Sequence, residues 1–365
     1  LNIFSFIIFS IVSKEFYKPF ASMETHYMYY ISAVDSYERL GKILYANTIP
    51  DRSNGLSPKK NNISFENIFF YYEKDNFKIE DLSFDIKENS ITALVGESGS
   101  GKSTIGKSII GLEHVTSGKV IYEGEDVTNK ARRRTSDYNR NVQMIFQDSL
   151  SSFNPKKRIL DIVAEPLRNF ERLSPDEERK RVIELMEIIG LSEDALLKYP
   201  HQFSGGQRQR IGVARALASN PRLIIADEPV SALDLSVQAQ VLNYMKRIQD
   251  EFNLSYLFIS HDLGVVKHMC DHISIMYRGR FVETGKRDDI YNNPQHIYTK
   301  RLIAAIPEVN PNHRDSNKSK RLAVEKEYKE NELEYYDKNG KVYDLQKLTD
   351  THYVALAHKV KGGEK

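Results

Sequence analysis

The chain has 365 residues, 40% hydrophobic and 28% charged, enough for one large domain with appendages and too apolar for a disordered polymer. With 52 Lys and Arg against 50 Asp and Glu, the formal charge of +2 gives no global electrostatic case for a nucleic-acid binder. One cysteine, Cys270, excludes a disulfide framework and a multi-Cys metal site, and a mean hydropathy of −0.50 excludes a polytopic membrane protein.

In chain order, residues 1–12 (LNIFSFIIFSIV) are apolar and uncharged, but shorter than the roughly 20 residues a bilayer span needs. No basic residue stands ahead of them, as a secretory signal would require. Ile31, Val34, Tyr37, Leu40, Gly41 and Leu44 recur at helical spacing and predict one long helix over about residues 20–46. IPDRSNGLSPKKNN (49–62) has the composition of a linker. From Ile63 onward short β runs alternate with helical stretches. ITALV (91–95), VQMIF (142–146), RLIIA (222–226) and LSYLFIS (254–260) are compact apolar runs, the pattern of parallel strands buried on both faces. Between the second and third lies a helix-rich insert, roughly 155–200, in which Ser174-Pro175-Asp176-Glu177 forms a capping box and Gly190 closes the helix. Residues 310–332 are polar and mixed in charge and predict a loose connection, while YYDKNGKVYDL predicts a hairpin around Asn339-Gly340.

Three stretches carry chemistry. Gly96-Glu97-Ser98-Gly99-Ser100-Gly101-Lys102-Ser103-Thr104 fits G-x-x-x-x-G-K-[ST] between a predicted strand and a predicted helix. Glycines there let backbone N–H groups turn around an anion, and the helix N-terminus adds positive potential. Lys102 reaches β- and γ-phosphates, and the Ser103 hydroxyl suits Mg²⁺. Leu223-Ile224-Ile225-Ala226-Asp227-Glu228 is an apolar strand that delivers two carboxylates at its C-terminal end, where open α/β sheets bind ligands. Asp227 there would hold Mg²⁺ through water, and Glu228 would polarise the attacking water. Phe203-Ser204-Gly205-Gly206-Gln207 opens a helix and offers a second anion nest; on its own it is ordinary loop composition. The Arg132-Arg133-Arg134 run reads as a solvated surface, and His268, Cys270 and His272 lack zinc-site spacing.

Together with Gln147, Ser231-Ala232-Leu233-Asp234 and Ser260-His261-Asp262, these motifs resemble the nucleotide-binding domain of ABC transporters over residues 63–307. GKSTIGKSIIGL (101–112), MIFQDSLSSFNP (144–155), DEPVSALDLSVQAQVLN (227–243) and HDLGVVKHMCD (261–271) look like ATP-binding subunits of oligopeptide and dipeptide importers. YNNPQHIYTKRLIAAIP (291–307) resembles their C-terminal extension, with Ile297 where Pro is usual, and HYVALA (352–357) resembles the end of the F-type subunit. The resemblance implies an α/β P-loop NTPase with a RecA-like core, a β subdomain and a helical subdomain. It implies ATP and Mg²⁺ as cofactors, with Gly96, Gly99, Ser100, Gly101, Lys102, Ser103 and Thr104 around the phosphates. Gln147 would touch Mg²⁺ and the attacking water, and His261 would contact the γ-phosphate. Ser204, Gly205, Gly206 and Gln207 would serve the ATP held by the opposite subunit, with Asp234 at that interface. Tyr72, or its neighbour Tyr71, would stack on adenine.

In front of this domain, residues 14–44 resemble the last transmembrane helix of an ABC exporter, and residues 63–104 resemble an exporter's domain start. The expected organisation is therefore an exporter-like remnant (1–48), a linker (49–62), the ATPase domain (63–307) and an importer-type extension (308–365). The expected function is ATP hydrolysis that powers peptide import at the cytoplasmic membrane face; the alternative is a remnant of a fused exporter. Implied partners are permease subunits, a second ATP-binding subunit in a head-to-tail dimer and, indirectly, an extracytoplasmic peptide-binding protein, with no nucleic acid.

Overall fold

A computed structural model describes residues 63–71, 78–128, 137–147, 152–306 and 314–357, all within the unit Pro58–Lys365. The expectations for residues 1–62, for Tyr72 and for Arg132-Arg133-Arg134 lie outside the described residues.

The strands are β1 (Ile63–Tyr71), β2 (Lys78–Ile86), β3 (Ile91–Val95), β4 (Ser117–Tyr122), β5 (Glu125–Asp126), β6 (Val142–Ile145), β7 (Leu223–Asp227), β8 (Ser255–Ser260), β9 (His272–Tyr277), β10 (Arg280–Lys286), β11 (Leu345–Lys347) and β12 (Tyr353–Ala355). They build a four-stranded sheet ordered β2-β1-β4-β5 and an eight-stranded sheet ordered β11-β12-β10-β9-β3-β8-β7-β6. In the larger sheet the run from β9 to β6 is parallel, and β10, β12 and β11 continue it antiparallel.

The apolar runs in the sequence have a two-faced destination. On one face Ile91, Ala93, Val95, Ile224, Ala226, Tyr256, Phe258, Ile273 and Ile275 pack under the helices. On the other, Leu94, Leu223, Ile225, Leu257, Ile259 and Met276 meet helix Lys102–Ile109 and the small sheet through Phe65, Ile68, Phe70, Ile79 and Leu82. A side-chain period of two puts alternate residues on opposite faces, so only a continuous apolar run satisfies both. Each fully buried Val, Leu, Ile, Phe or Met among them contributes about 1.5–3 kcal/mol.

The helix-rich insert is present as helices Ile159–Phe170 and Pro175–Ile188 followed by two short 3₁₀ turns. Its capping box forms as the sequence predicts, with the Ser174 hydroxyl accepting from Glu177 N and the Glu177 carboxylate accepting from Ser174 N at 2.8 Å. The loose connection expected at 310–332 is instead a helix, Arg314–Glu330. Its charges are used against helix Ile297–Ala304, through Lys300–Glu327 at 2.6 Å and Arg301–Glu325 at 2.8 Å, while Val324 and Tyr328 pack on the core. Ion pairs that stay partly open to water contribute little each, so the two apolar contacts are the physical reason the segment is ordered there. The Asn339-Gly340 turn forms with a single bridge, Tyr336 to Val342, rather than two full strands.

Cys270 is fully buried between helix Leu263–Met269 and β9. Burial, and next the charge of Asp271, push its thiol well above the ordinary cysteine range. Native protein is expected to resist thiol alkylation, scored by intact mass, and to react only once urea unfolds it; fast native labelling would contradict the packing described.

Candidate functional site

The register of the parallel strands assembles the site. Val95 pairs with Ser260, Asp227 with Ile259, and Ile145 with Ala226. The residues that leave these strands, Gly96, His261, Glu228 and Gln147, therefore emerge along one carboxyl edge, the ligand side of an open α/β sheet.

The phosphate loop runs from Gly96 into helix Lys102–Ile109. Gly101, the N-cap, has φ 106°, a left-handed conformation, and no side chain caps the helix start. Helices beginning after Ser174, Ser204, Asp234 and Asp262 each have a side-chain oxygen accepting from a first-turn amide. The loop helix has no such side-chain cap, and an uncapped helix start is the kind of site that suits an anion. Gly96 is required for a different reason: a Cβ there would stand 2.1 Å from the Met276 carbonyl oxygen. The loop is thus pressed against the end of β9.

Lys102 is 4% exposed and folds back onto the loop, donating to Gly96 O at 2.6 Å, Glu97 O at 2.8 Å and Ser100 Oγ at 3.2 Å. Burial lowers its pKa, opposed by the charges of Glu228 and Asp227. Ser103 Oγ donates to Asp227 Oδ1 at 2.9 Å. Asp227, also 4% exposed, has its pKa raised by burial and lowered in part by that hydrogen bond. Glu228 has φ 46°, a left-handed conformation that costs a non-glycine residue about 1–2 kcal/mol. In that conformation its Oε2 accepts from Gln147 Nε2 at 2.9 Å and its Oε1 lies 3.0 Å from His261 Nδ1.

Along this edge Ser103 bonds Asp227, Glu228 joins Gln147 and His261, and Lys102 bonds only its own loop. Ser204 and Asp234 lie at other helix starts. Ser204 Oγ accepts from Gln207 N while Gln207 Oε1 accepts from Ser204 N at 2.9 Å, and Gly205 and Gly206 fill the first turn between them. Asp234 Oδ1 accepts from Val237 N at 3.0 Å and from the Ser236 hydroxyl at 2.7 Å. Tyr71, at the end of β1, lies under the ammonium of Lys78, 6.0 Å from its ring centre. One neighbour of the loop was not foreseen: the Tyr298 hydroxyl accepts from Glu97 N at 2.9 Å. Its signal in the sequence was the HIYTK segment, whose chemistry shows only in three dimensions.

A phosphate loop, paired carboxylates and a glutamine and histidine on one sheet edge define a P-loop ATPase of the ABC cassette type. Residues 79–231 match the ABC transporter family, and residues 282–342 match the oligopeptide/dipeptide transporter C-terminal region. The oligopeptide transport ATP-binding protein OppF of Lactococcus lactis subsp. lactis (strain IL1403) is 56% identical over 297 residues, 81% of this chain and 92% of that protein. OppF of Bacillus subtilis (strain 168) is 47% identical over 278 residues, 76% of this chain and 88% of its own. Among solved structures, the dimeric ATP-binding cassette MJ0796 with ADP and Pi aligns with a TM-score of 0.55 at 26% identity, over 62% of this chain and 98% of that one. The chain belongs to the ABC transporter ATP-binding family, in the oligopeptide/dipeptide transport ATP-binding branch. It binds and hydrolyses ATP, and proteins of this class dimerise and work with membrane permeases. Among the described residues, no helix is long and apolar enough to cross a membrane.

Gly96→Ala is expected to displace the loop from β9 and weaken ATP binding more than about tenfold while far-UV circular dichroism stays native; equilibrium dialysis with labelled ATP reads it.

Proposed function

We propose that this chain supplies the ATP hydrolysis that drives uptake of oligopeptides or dipeptides through a membrane permease, acting peripherally at the cytoplasmic face. The observation that carries this reading is the pairing of an intact ATPase edge with the 282–342 match to the oligopeptide/dipeptide transporter C-terminal region. The peptide itself is bound by permease and extracytoplasmic receptor chains.

Within the site, Gly99, Ser100 and Gly101 shape the loop, and the backbone amides of Lys102, Ser103 and Thr104 bind phosphate oxygens. Lys102 serves the β- and γ-phosphates, and a tyrosine at 72 or 71 stacks on adenine. The oxygens of Ser103 and Asp227, already within hydrogen-bond distance of each other, fit Mg²⁺, a hard cation that takes one or two protein oxygens and completes its shell with phosphate and water. Gln147 supplies a further amide oxygen toward it. The ion, when bound, neutralises charge on the β- and γ-phosphate oxygens.

Glu228 orients the attacking water and takes its proton as the water oxygen bonds to the γ-phosphorus and the bond to the β–γ bridging oxygen breaks. Gln147 and His261 hold one carboxylate oxygen each, so the base meets the water in one orientation. His261 then serves the γ-phosphate. Ser204, Gly205, Gly206 and Gln207, with Asp234, serve the ATP of a second subunit in a head-to-tail dimer. The two capped helix starts keep these polar groups rigid before the partner arrives.

Glu228→Gln is expected to keep ATP affinity, lower turnover about 10²- to 10³-fold and let an ATP-bound dimer accumulate on size-exclusion chromatography. Undiminished hydrolysis would remove Glu228 from its role. Cells lacking this chain should lose uptake of a labelled oligopeptide, regain it with the wild-type chain and not with Glu228→Gln. Uptake that persists in its absence would overturn the peptide reading.

A further inference from the structure

The C-terminal region reaches the phosphate loop through one side chain. Tyr298, 1% exposed, lies in the first turn of helix Ile297–Ala304 and accepts from Glu97 N at 2.9 Å. That N–H belongs to the peptide group whose carbonyl is Gly96 O, the acceptor of the Lys102 ammonium at 2.6 Å. One peptide plane therefore carries Tyr298 on its N–H side and Lys102 on its C=O side. Hydrogen bonds in series polarise one another, so the phenol oxygen strengthens the carbonyl that orients the lysine. Burial raises the Tyr298 pKa far above the ordinary range, and the group stays a neutral hydroxyl.

Tyr298 is itself fixed. His296 Nδ1 accepts from Tyr298 N at 3.1 Å, and Glu283 accepts from Gln295 N at 2.8 Å and from His296 N at 2.9 Å. Glu283 also lies 2.7 Å from His352 Nε2, so the last strands brace the same carboxylate. The Tyr298 ring packs at a tilt against Tyr277, ring centres 4.6 Å apart, beside the turn whose Gly279 N donates to Ser100 O at 3.1 Å.

We propose that Tyr298 is a positioning residue for ATP binding: through the Gly96–Glu97 peptide it sets the loop and the Lys102 ammonium in the geometry that receives the phosphates. The inference rests on the ATP reading of the site and assigns the HIYTK segment a task within it.

The test compares wild type, Tyr298→Phe and Tyr336→Phe for binding of fluorescent mant-ATP and for steady-state hydrolysis. Phe keeps the ring and removes only the acceptor. Tyr336 belongs to the same aromatic cluster, its ring 5.4 Å from that of Tyr277, and its buried hydroxyl makes no hydrogen bond among the described residues. Tyr298→Phe should raise the Kd for mant-ATP and the KM for ATP about three- to tenfold, the effect of losing one hydrogen bond, with kcat changed less. Tyr336→Phe should leave all three as in wild type. A Tyr298→Phe protein with wild-type Kd and KM, or with a lowered Tm and nothing else, overturns the proposal. Absence of mant-ATP binding by all three proteins would overturn the ATP reading beneath it, which is a separate result.

Discussion

The in-register pairing of β8 with β3 on one side and β7 on the other is the constraint on which the site depends. β8 itself contributes only His261 at its end, yet it sets the distance between the phosphate loop after β3 and the two carboxylates at the end of β7. A slip of one residue would reverse the faces of Leu257 and Phe258 and put each into the core shaped for the other. The same slip would carry Asp227 away from Ser103. Core packing and catalytic geometry are therefore one requirement, and the hydrophobic contacts that hold the sheet also hold the Ser103–Asp227 bond.

Around that edge the polar groups divide into those already satisfied and those left open. Ser204 and Asp234 spend a side-chain oxygen on their own helices, which fixes them as rigid platforms. The loop helix has no such cap, and Lys102 instead turns onto the carbonyls of its own loop. An unpaired ammonium buried this deeply would be costly, so the carbonyls and Ser100 stand in for a ligand's oxygens. Glu228 adds local strain, since its left-handed backbone aims the carboxylate at Gln147 and His261. Burial of the flanking strands holds that conformation against its cost.

Much of this was legible in the residues. Gly96 to Thr104, Asp227 and Glu228 announce phosphate and carboxylate chemistry by local spacing, and the buried strands announce themselves as unbroken apolar runs. What resisted reading depended on partners distant in sequence. The helix Arg314–Glu330 reads as loose because its charges are answered by Lys300 and Arg301 on another helix. Gly96 reads as a loop glycine, while its actual constraint is the Met276 carbonyl, 180 positions further along. Tyr298 is likewise 201 positions from Glu97, and no periodicity or spacing rule links the two.

The tail also changes the rim of the larger sheet. β12 pairs with β10, and β11, three residues long, pairs with β12, so the longer β10 is not the outermost strand. The opposite rim is β6, with four residues. Long unpaired strand rims invite pairing with other chains, and short ones offer few backbone groups to do so. The C-terminal segment thus acts as a selvedge on the catalytic sheet, finishing a border along which copies of this chain could otherwise stitch together while awaiting assembly.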